Sequence, residues 1–173
     1  MAARFLCEGF AGRPLSSSDL RGKVVLVDFW ATWCQPCEKE MPGYQKLVDS
    51  YGSQGFVAIG FKFDTMRDME DPVHFAKKIG IRYPLAIANG EIKRKFGGIE
   101  GLPTTMLYDR QGILRVKVVG FELHRQHRGG SEAASLTLTV IRAFPSVDVR
   151  SAKQKARVKA SVKSVELKVA LPN

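Results

Sequence analysis

Residues 24–37 read Val-Val-Leu-Val-Asp-Phe-Trp-Ala-Thr-Trp-Cys-Gln-Pro-Cys, and this stretch decides the fold. The apolar run at its start predicts a strand that is buried on both faces, which is typical of a parallel sheet. The two cysteines that follow, Cys34 and Cys37, stand where a helix should begin. Unpaired amides and the helix dipole favour a thiolate at such a position. A reactive thiolate with a second thiol one turn away is suited to thiol–disulfide exchange, in which the first sulfur attacks a disulfide and the second resolves the mixed disulfide.

Other uses of a Cys-x-x-Cys pair find less support in the sequence. A structural zinc site needs four ligands, and the one further cysteine, Cys7, has no ligand-like spacing to any histidine. Covalent haem attachment needs a histidine directly after the second cysteine, where Glu38 stands. A peroxidatic cysteine would follow the pattern Pro-x-x-x-Thr-x-x-Cys, but Val27 stands in place of the proline and Ala31 in place of the threonine. An inert structural disulfide stays open, although so short a loop would stabilise the fold little.

The sequence around the cysteines resembles the thioredoxin superfamily. Asp28-Phe-Trp-Ala-Thr-Trp-Cys-Gln-Pro-Cys37 continues as Glu-Lys-Glu-Met-Pro42, and this is most similar to the branch of TlpA, ResA and CcmG thiol–disulfide oxidoreductases. The leader Leu15-Ser-Ser-Ser-Asp-Leu-Arg-Gly-Lys23 and the later Gly101-Leu-Pro-Thr-Thr105 fit the same branch. The resemblance covers about residues 5–121. It implies an α/β thioredoxin fold with an N-terminal hairpin and a central insertion between residues 64 and 96.

The resemblance also assigns roles in the dithiol chemistry. Cys34 is the expected nucleophile, and Cys37, further into the helix, is the expected resolving thiol with less exposure. Asp28 resembles the internal carboxylate of thioredoxins, which accepts the proton as the resolving thiol attacks; burial should raise its pKa. A purely structural strand-end aspartate stays open. Glu40 is expected to be a solvated helix residue, with a ResA-like acidic modulator as the alternative.

A substrate surface is expected beside the dithiol. Pro103 resembles the cis-proline that faces the two cysteines in the superfamily, and it would expose the backbone of Leu102 for strand-like pairing with a substrate. Trp33 and Pro36 should form the rest of a modest apolar groove, whereas Trp30 should lie in the core.

These features predict an enzyme whose redox group is the Cys34–Cys37 disulfide, with no metal and no other cofactor. The expected partners are disulfides in proteins and an upstream dithiol reductant, with the enzyme acting as a monomer. In this branch the activity implies cytochrome c maturation or copper-site assembly outside the cytoplasm. Two alternatives remain: a peroxide-reducing redoxin, and a redox-inactive copper-handling module in which the dithiol binds Cu(I).

The charge is spread unevenly along the 173 residues. Residues 1–122 carry a net charge of +3 and residues 123–173 one of +7, so the basic excess belongs to the end of the chain. We therefore expect a thioredoxin-like domain at 1–122 and a basic extension at 123–173 that does not resemble the family. Nucleic acid is not an expected partner, because the extension lacks the aromatic residues that stack on bases.

The location is expected to be extracytoplasmic by resemblance. The sequence shows no signal peptide and no apolar run as long as a membrane span. An export signal or membrane anchor in a longer precursor would explain this; if Met1 is the true start, the protein is expected in the cytoplasm.

The remaining patterns predict the elements that surround the motif. The helical spacing of Met41, Tyr44, Leu47, Val48 and Tyr51 predicts a helix over 34–51 that turns these side chains toward the sheet and is kinked at Pro42. An apolar run predicts a strand over 56–61. Asp71-Pro72 should begin a helix to about Ile79 with Val73, Ala76 and Ile79 facing inward. A short strand at 83–87, a helical stretch to 96 and a hairpin at 104–119 should follow. One short element is expected at 135–144, and 152–171 fits either a strand or a helix.

Overall fold

The computed structural model describes residues 4–63 and 70–120. The strands in these ranges are β1 (Leu6–Glu8), β2 (Pro14–Ser16), β3 (Val24–Trp30), β4 (Phe56–Lys62), β5 (Leu85–Ile87), β6 (Thr104–Tyr108) and β7 (Leu114–Val119). The helices are α1 (Gln35–Tyr51), α2 (Pro72–Lys78) and α3 (Gly90–Lys95), with 3₁₀ turns at Ser17–Leu20 and Gly52–Gln54. The predictions for 64–69 and for the extension 123–173, including 135–144 and 152–171, lie outside the described residues.

A five-stranded sheet in the order β5-β4-β3-β6-β7 forms the centre of the fold. The strand predicted from residues 24–30 lies in its middle, parallel to β4 and antiparallel to β6, and all of its residues are buried. The predicted N-terminal hairpin is present as β1 paired with β2. The insertion contributes α2 and β5, which adds a strand at one edge of the sheet. This is the α/β thioredoxin fold that the resemblance implied.

The two faces of β3 supply two separate cores. Leu26 and Trp30 pack on the same side as both cysteines and the buried residues of α1. Phe29 points to the opposite side, into a cluster of aromatic rings that includes Phe61 and Phe96. Because side chains alternate along a strand, Asp28 lies on the same face as Leu26 and Trp30 and is directed toward the cysteine side.

Helix α1 carries the cysteines into this first core. Cys34 is its N-cap, and of the residues predicted to face inward, Met41, Tyr44, Leu47 and Tyr51 are buried and Val48 is partly buried. Pro42 lies inside the helix, as the sequence predicted. The chain turns out of the helical region at Gly55, whose φ of 90° suits a residue without a Cβ.

Helix α2 differs from its prediction in the residues that it buries. Val73, expected to face inward, is 49% exposed, whereas Phe75 and Ala76 are buried. The ring of Phe75 stacks on Trp30 with centroids 5.4 Å apart, and this contact sets the rotation of the helix. Within the two described ranges, no helix has both the length and the apolar character needed to cross a membrane.

Candidate active site

The two motif cysteines form a disulfide at the start of α1. Their sulfur atoms are 2.01 Å apart and their Cα atoms 5.3 Å apart. Cys37 is fully buried, whereas Cys34 retains 4% of its surface, in agreement with the predicted order of exposure. The third cysteine, Cys7, is a free thiol in the N-terminal hairpin and is half-buried.

The backbone around Cys34 is arranged to favour negative charge on its sulfur. The Cys37 amide donates a hydrogen bond to Cys34 Sγ at 3.3 Å. Since Cys34 is the N-cap residue, its sulfur also lies at the positive end of a 17-residue helix. After reduction, these two effects would stabilise a thiolate at Cys34 more than at Cys37.

Asp28 is a carboxyl buried inside the fold. It is 1% exposed, and within residues 4–63 and 70–120 neither of its oxygens has a hydrogen-bond partner of good geometry. Burial raises the pKa of Asp28 well above its ordinary value, and the nearby negative charge of Glu40 raises it further. The Thr105 hydroxyl, on the residue opposite Asp28 in β6, lowers this pKa to a smaller extent. The predicted rise is therefore present, and burial is its main cause.

Glu40 is not the solvated residue that the sequence analysis expected. It is 7% exposed, and its Oε2 accepts a hydrogen bond of 2.8 Å from the Tyr44 hydroxyl. The spacing 40, 44, 47, 51 places it on the same face of α1 as the buried residues. The expectation of a solvated glutamate was wrong, because Tyr44 provides the polar partner that a buried carboxyl needs.

The loop before β6 contains a cis peptide bond between Leu102 and Pro103, as predicted. Pro103 is buried and its carbonyl accepts a hydrogen bond from the Gly120 amide at 2.6 Å. The backbone of Leu102 makes no hydrogen bond to any other residue within 4–63 and 70–120.

Two further motif residues lie at the surface. Trp33 is 41% exposed and Pro36 is exposed, whereas Trp30 is completely buried as expected. A cavity of about 620 Å³ is lined by Phe5, Val25 and Tyr108, among others, and does not include the disulfide. The disulfide end of α1 is thus bordered by exposed apolar side chains and is not part of that cavity.

Two polar residues on the cysteine side of the sheet were not predicted. Thr105 Oγ1 is 3.0 Å from the Tyr44 hydroxyl, and the buried hydroxyl of Tyr83 has no hydrogen-bond partner among the described residues. Burial, followed by the charge of Asp28, raises the pKa of Tyr83 well above its ordinary value. The alternation of β6 could have indicated that Thr105 faces inward, but its partner is 61 residues away along the chain.

The model of the AhpC/TSA family matches residues 1–117. The chain belongs to the AhpC/TSA family. This AhpC/TSA protein is 33% identical over 129 residues to the thiol-disulfide oxidoreductase ResA of Bacillus thuringiensis (strain Al Hakam), covering 74% of this chain and 73% of ResA. It is 32% identical over 120 residues to the thioredoxin-like protein YneN of Bacillus subtilis (strain 168), covering 69% of each.

Solved structures show the same relationship. A thiol:disulfide interchange protein of the thioredoxin family from Chlorobium tepidum TLS is 34% identical, with a TM-score of 0.64 over 69% of this chain and 84% of that one. A putative thiol:disulfide interchange protein DsbE from Chlorobium tepidum is 28% identical, with a TM-score of 0.69 over 83% of this chain and 94% of that one. The AhpC/TSA protein is therefore a thioredoxin-superfamily thiol–disulfide oxidoreductase, whose redox group is a cysteine pair without an added cofactor.

Proposed function

We propose that this protein reduces disulfides in partner proteins, with Cys34 as the nucleophile and Cys37 as the resolving thiol. Cys34 thiolate attacks a substrate disulfide, forms a mixed disulfide and releases one substrate thiolate. Cys37 then attacks Cys34, forms the Cys34–Cys37 bond and releases the second substrate thiolate. Two electrons pass to the substrate, and an upstream dithiol returns the enzyme to its reduced form.

The observation that carries this assignment is the position of Cys34 Sγ. It accepts the Cys37 amide at 3.3 Å at the N-terminus of α1 and keeps some surface, while Cys37 has none. A sulfur that attacks another protein must be both accessible and ionised. Cys34 meets these two conditions better than Cys37.

Asp28 is the proposed acceptor of the Cys37 proton. Its side chain is directed toward the cysteine side of the sheet, and its raised pKa brings it closer to that of a thiol. A base whose pKa lies near the working pH can take a proton in one step and lose it in the next.

The proposed substrate surface consists of Trp33, Pro36, Leu102 and Pro103. Two of these side chains are exposed beside the disulfide, and the Leu102 backbone makes no hydrogen bond to the rest of the described chain. An extended peptide could pair with that backbone while its own disulfide reaches Cys34. This fits a protein substrate better than a small molecule enclosed in a pocket.

The proposed setting is cytochrome c maturation outside the cytoplasm, with the protein acting as a monomer. The support is the similarity to ResA and to the interchange protein named DsbE. Deleting the gene in its host should reduce covalently bound haem in the c-type cytochromes, as seen by haem staining of denatured gels. Unchanged staining would count against this role and leave the disulfide chemistry standing.

Insulin reduction tests the proposed activity. With dithiothreitol as the reductant, the protein should accelerate precipitation of the insulin B chain, and a variant with both Cys34→Ala and Cys37→Ala should not. A variant with Cys7→Ala is the matched control and should behave as wild type. If wild type and the double variant give equal rates, the proposed activity is wrong.

Asp28→Asn should stabilise the fold and slow the enzyme. The folded protein favours protonated Asp28, so the stability that this group contributes is complete below the ordinary carboxyl pKa and is lost as pH rises through the raised folded pKa. The variant avoids that loss, and we expect a gain of about 1–3 kcal/mol in the free energy of urea unfolding at neutral pH, with less gain near pH 4. Resolution of the mixed disulfide should become slower between about pH 6 and 8.

Asp49→Asn is the control for that pH dependence. Asp49 is an exposed carboxyl whose pKa is lowered by hydrogen bonds from Gln45 and Arg82. The stability that Asp49 contributes is therefore lost as pH falls, which is opposite to the behaviour of Asp28. This contribution should be small because Asp49 is exposed. If Asp28→Asn showed the same sign as Asp49→Asn and left resolution rates unchanged, Asp28 would have only a structural role.

We also propose that the dithiol chemistry resides in residues 1–122. Truncation after Glu122 removes the segment with a net charge of +7 but none of the proposed site residues. The soluble fraction of the truncated protein should keep the reductase rate per molecule, even if its yield falls. Failure of that soluble protein to reduce a small disulfide would mean that residues 123–173 complete the active fold.

A further inference from the structure

Two carboxyl groups lie at the ends of one chain of buried hydroxyls. The Tyr44 hydroxyl donates to Glu40 Oε2 at 2.8 Å, and its oxygen is 3.0 Å from Thr105 Oγ1. Thr105 is directly opposite Asp28 in the β3–β6 register, and its hydroxyl lowers the pKa of the Asp28 carboxyl. Tyr44, Thr105 and Asp28 are each no more than 3% exposed, so water does not compete for these contacts.

Each hydroxyl in this chain carries a single proton, so the chain can point in only one of two directions. When Glu40 is ionised, Tyr44 donates to Glu40 and Thr105 donates to Tyr44, which leaves Asp28 without a donor. When Glu40 is protonated, it can donate to Tyr44, Tyr44 to Thr105 and Thr105 to Asp28. Ionisation of one carboxyl therefore opposes ionisation of the other. In the structure the Tyr44 hydroxyl donates to Glu40 Oε2, as in the first direction, whereas either hydroxyl can be the donor in the Tyr44–Thr105 contact.

We propose that Tyr44 is a positioning residue that, with Thr105, couples Glu40 to Asp28 so that the two carboxyl groups hold one proton between them. This rests on the proposed role of Asp28 as the acceptor of the Cys37 proton. The pair then has one ionised carboxylate available for the reaction. The direction in which the Tyr44 and Thr105 hydroxyls donate decides whether Asp28 or Glu40 is that carboxylate.

The reaction step balances with this single acceptor. In the mixed disulfide, the Cys37 thiol gives its proton to ionised Asp28 as its sulfur attacks Cys34. The Cys34–Cys37 bond forms, the bond from Cys34 to the substrate breaks, and the substrate leaves as a thiolate. Cys37 is oxidised, the substrate sulfur is reduced, and the pair holds two protons until one passes to the thiolate or to solvent.

The other groups on this face do not replace the link. The negative charge of Glu40 raises the pKa of the Asp28 carboxyl. Tyr83 comes from the segment before β5, and the charge of Asp28 raises its pKa without a hydrogen bond between the two. Lys62 is buried and lies on the same face of the sheet. It is paired with Trp30, two residues further along the strands than the pair formed by Asp28 and Gly60.

A double-mutant cycle on the pH profile tests the coupling. The mixed disulfide is formed at Cys34 with an aromatic thiol, and its release on resolution is followed by absorbance in stopped flow across about pH 4.5–9. The proteins are wild type, Glu40→Gln, Tyr44→Phe and the variant with both changes. Glu40→Gln should lower the midpoint of the profile by about one pH unit or more, the size expected for coupled sites. In the Tyr44→Phe background the same change should give less than half of that shift.

Two control variants distinguish loss of the Tyr44–Thr105 hydroxyl chain from a nonspecific effect of substitution in the core. Thr105→Val breaks the same chain at its second hydroxyl and should reduce the shift as Tyr44→Phe does. Tyr51→Phe removes the hydroxyl of another tyrosine on the same helix, one outside the hydroxyl chain, and should leave the shift complete. The coupling would be overturned if Glu40→Gln shifted the midpoint equally in wild type and in Tyr44→Phe, or if Tyr51→Phe reduced that shift as much as Tyr44→Phe does. Either result would leave the proposed function intact. No release by wild type at any pH would overturn both.

Discussion

Cys37→Ala should convert the protein into a trap for its substrates. Cys34 would still attack a disulfide, but no resolving thiol would remain to release the product. A non-reducing gel of the variant mixed with a disulfide-bonded protein should therefore show a covalent complex that disappears on addition of dithiothreitol. Cys34→Ala should form no such complex and should reduce turnover to the background rate.

The comparison of the two variants decides the order of attack. Cys7→Ala, introduced into both, removes the half-buried third thiol as a source of unintended complexes. Equal trapping by both variants would contradict the assignment of Cys34 as the nucleophile. Trapping by Cys34→Ala alone would reverse it.

Gly120→Ala should damage both stability and activity. A Cβ at Gly120 would lie 2.3 Å from Pro103 Cδ and 2.7 Å from Pro103 N, which are parts of the loop that cannot rotate away. The end of β7 and the Pro103 loop would have to separate, at a cost of about 1–3 kcal/mol in the free energy of urea unfolding. Since this loop borders the proposed substrate surface, reduction of a protein disulfide should fall more than reduction of a small disulfide.

Gly101→Ala is the matched control for that substitution. Gly101 belongs to the same loop, and the nearest atom to a Cβ there is Val119 Cγ1 at 3.4 Å, an ordinary contact. It should change the free energy of unfolding by less than about 1 kcal/mol. If Gly120→Ala is tolerated equally well, the close approach at Pro103 has no energetic importance.

The sequence predicted the parts of this structure that depend on local patterns. An unbroken apolar run around Asp28 was enough to indicate a central buried strand, and therefore a carboxyl with a raised pKa. The Cys-x-x-Cys that directly follows this strand, together with the helical spacing of the apolar residues after it, was enough to place the N-terminus of α1. These inferences needed no knowledge of which segments meet in space.

The errors arose where a distant partner decides the outcome. Glu40 stands in a charged run that is typical of a solvated helix face, and its burial depends on Tyr44 and on the approach of Thr105 from β6. The inward face predicted for α2 was wrong at Val73, because the apolar residues of this helix fit more than one helical face. Stacking of Phe75 on Trp30 selects the observed face and leaves Val73 exposed.

A single-turnover mass balance tests the central claim most directly. Fully reduced protein is mixed with a disulfide-bonded protein substrate. The reaction is quenched in acid with a thiol-blocking reagent, and the masses of both proteins are measured by mass spectrometry. We predict that the substrate gains two blocked thiols as this protein loses two, with the Cys34–Cys37 disulfide identified in the matching peptide. A substrate that gains no blocked thiols while Cys34 and Cys37 both remain as thiols would contradict the account.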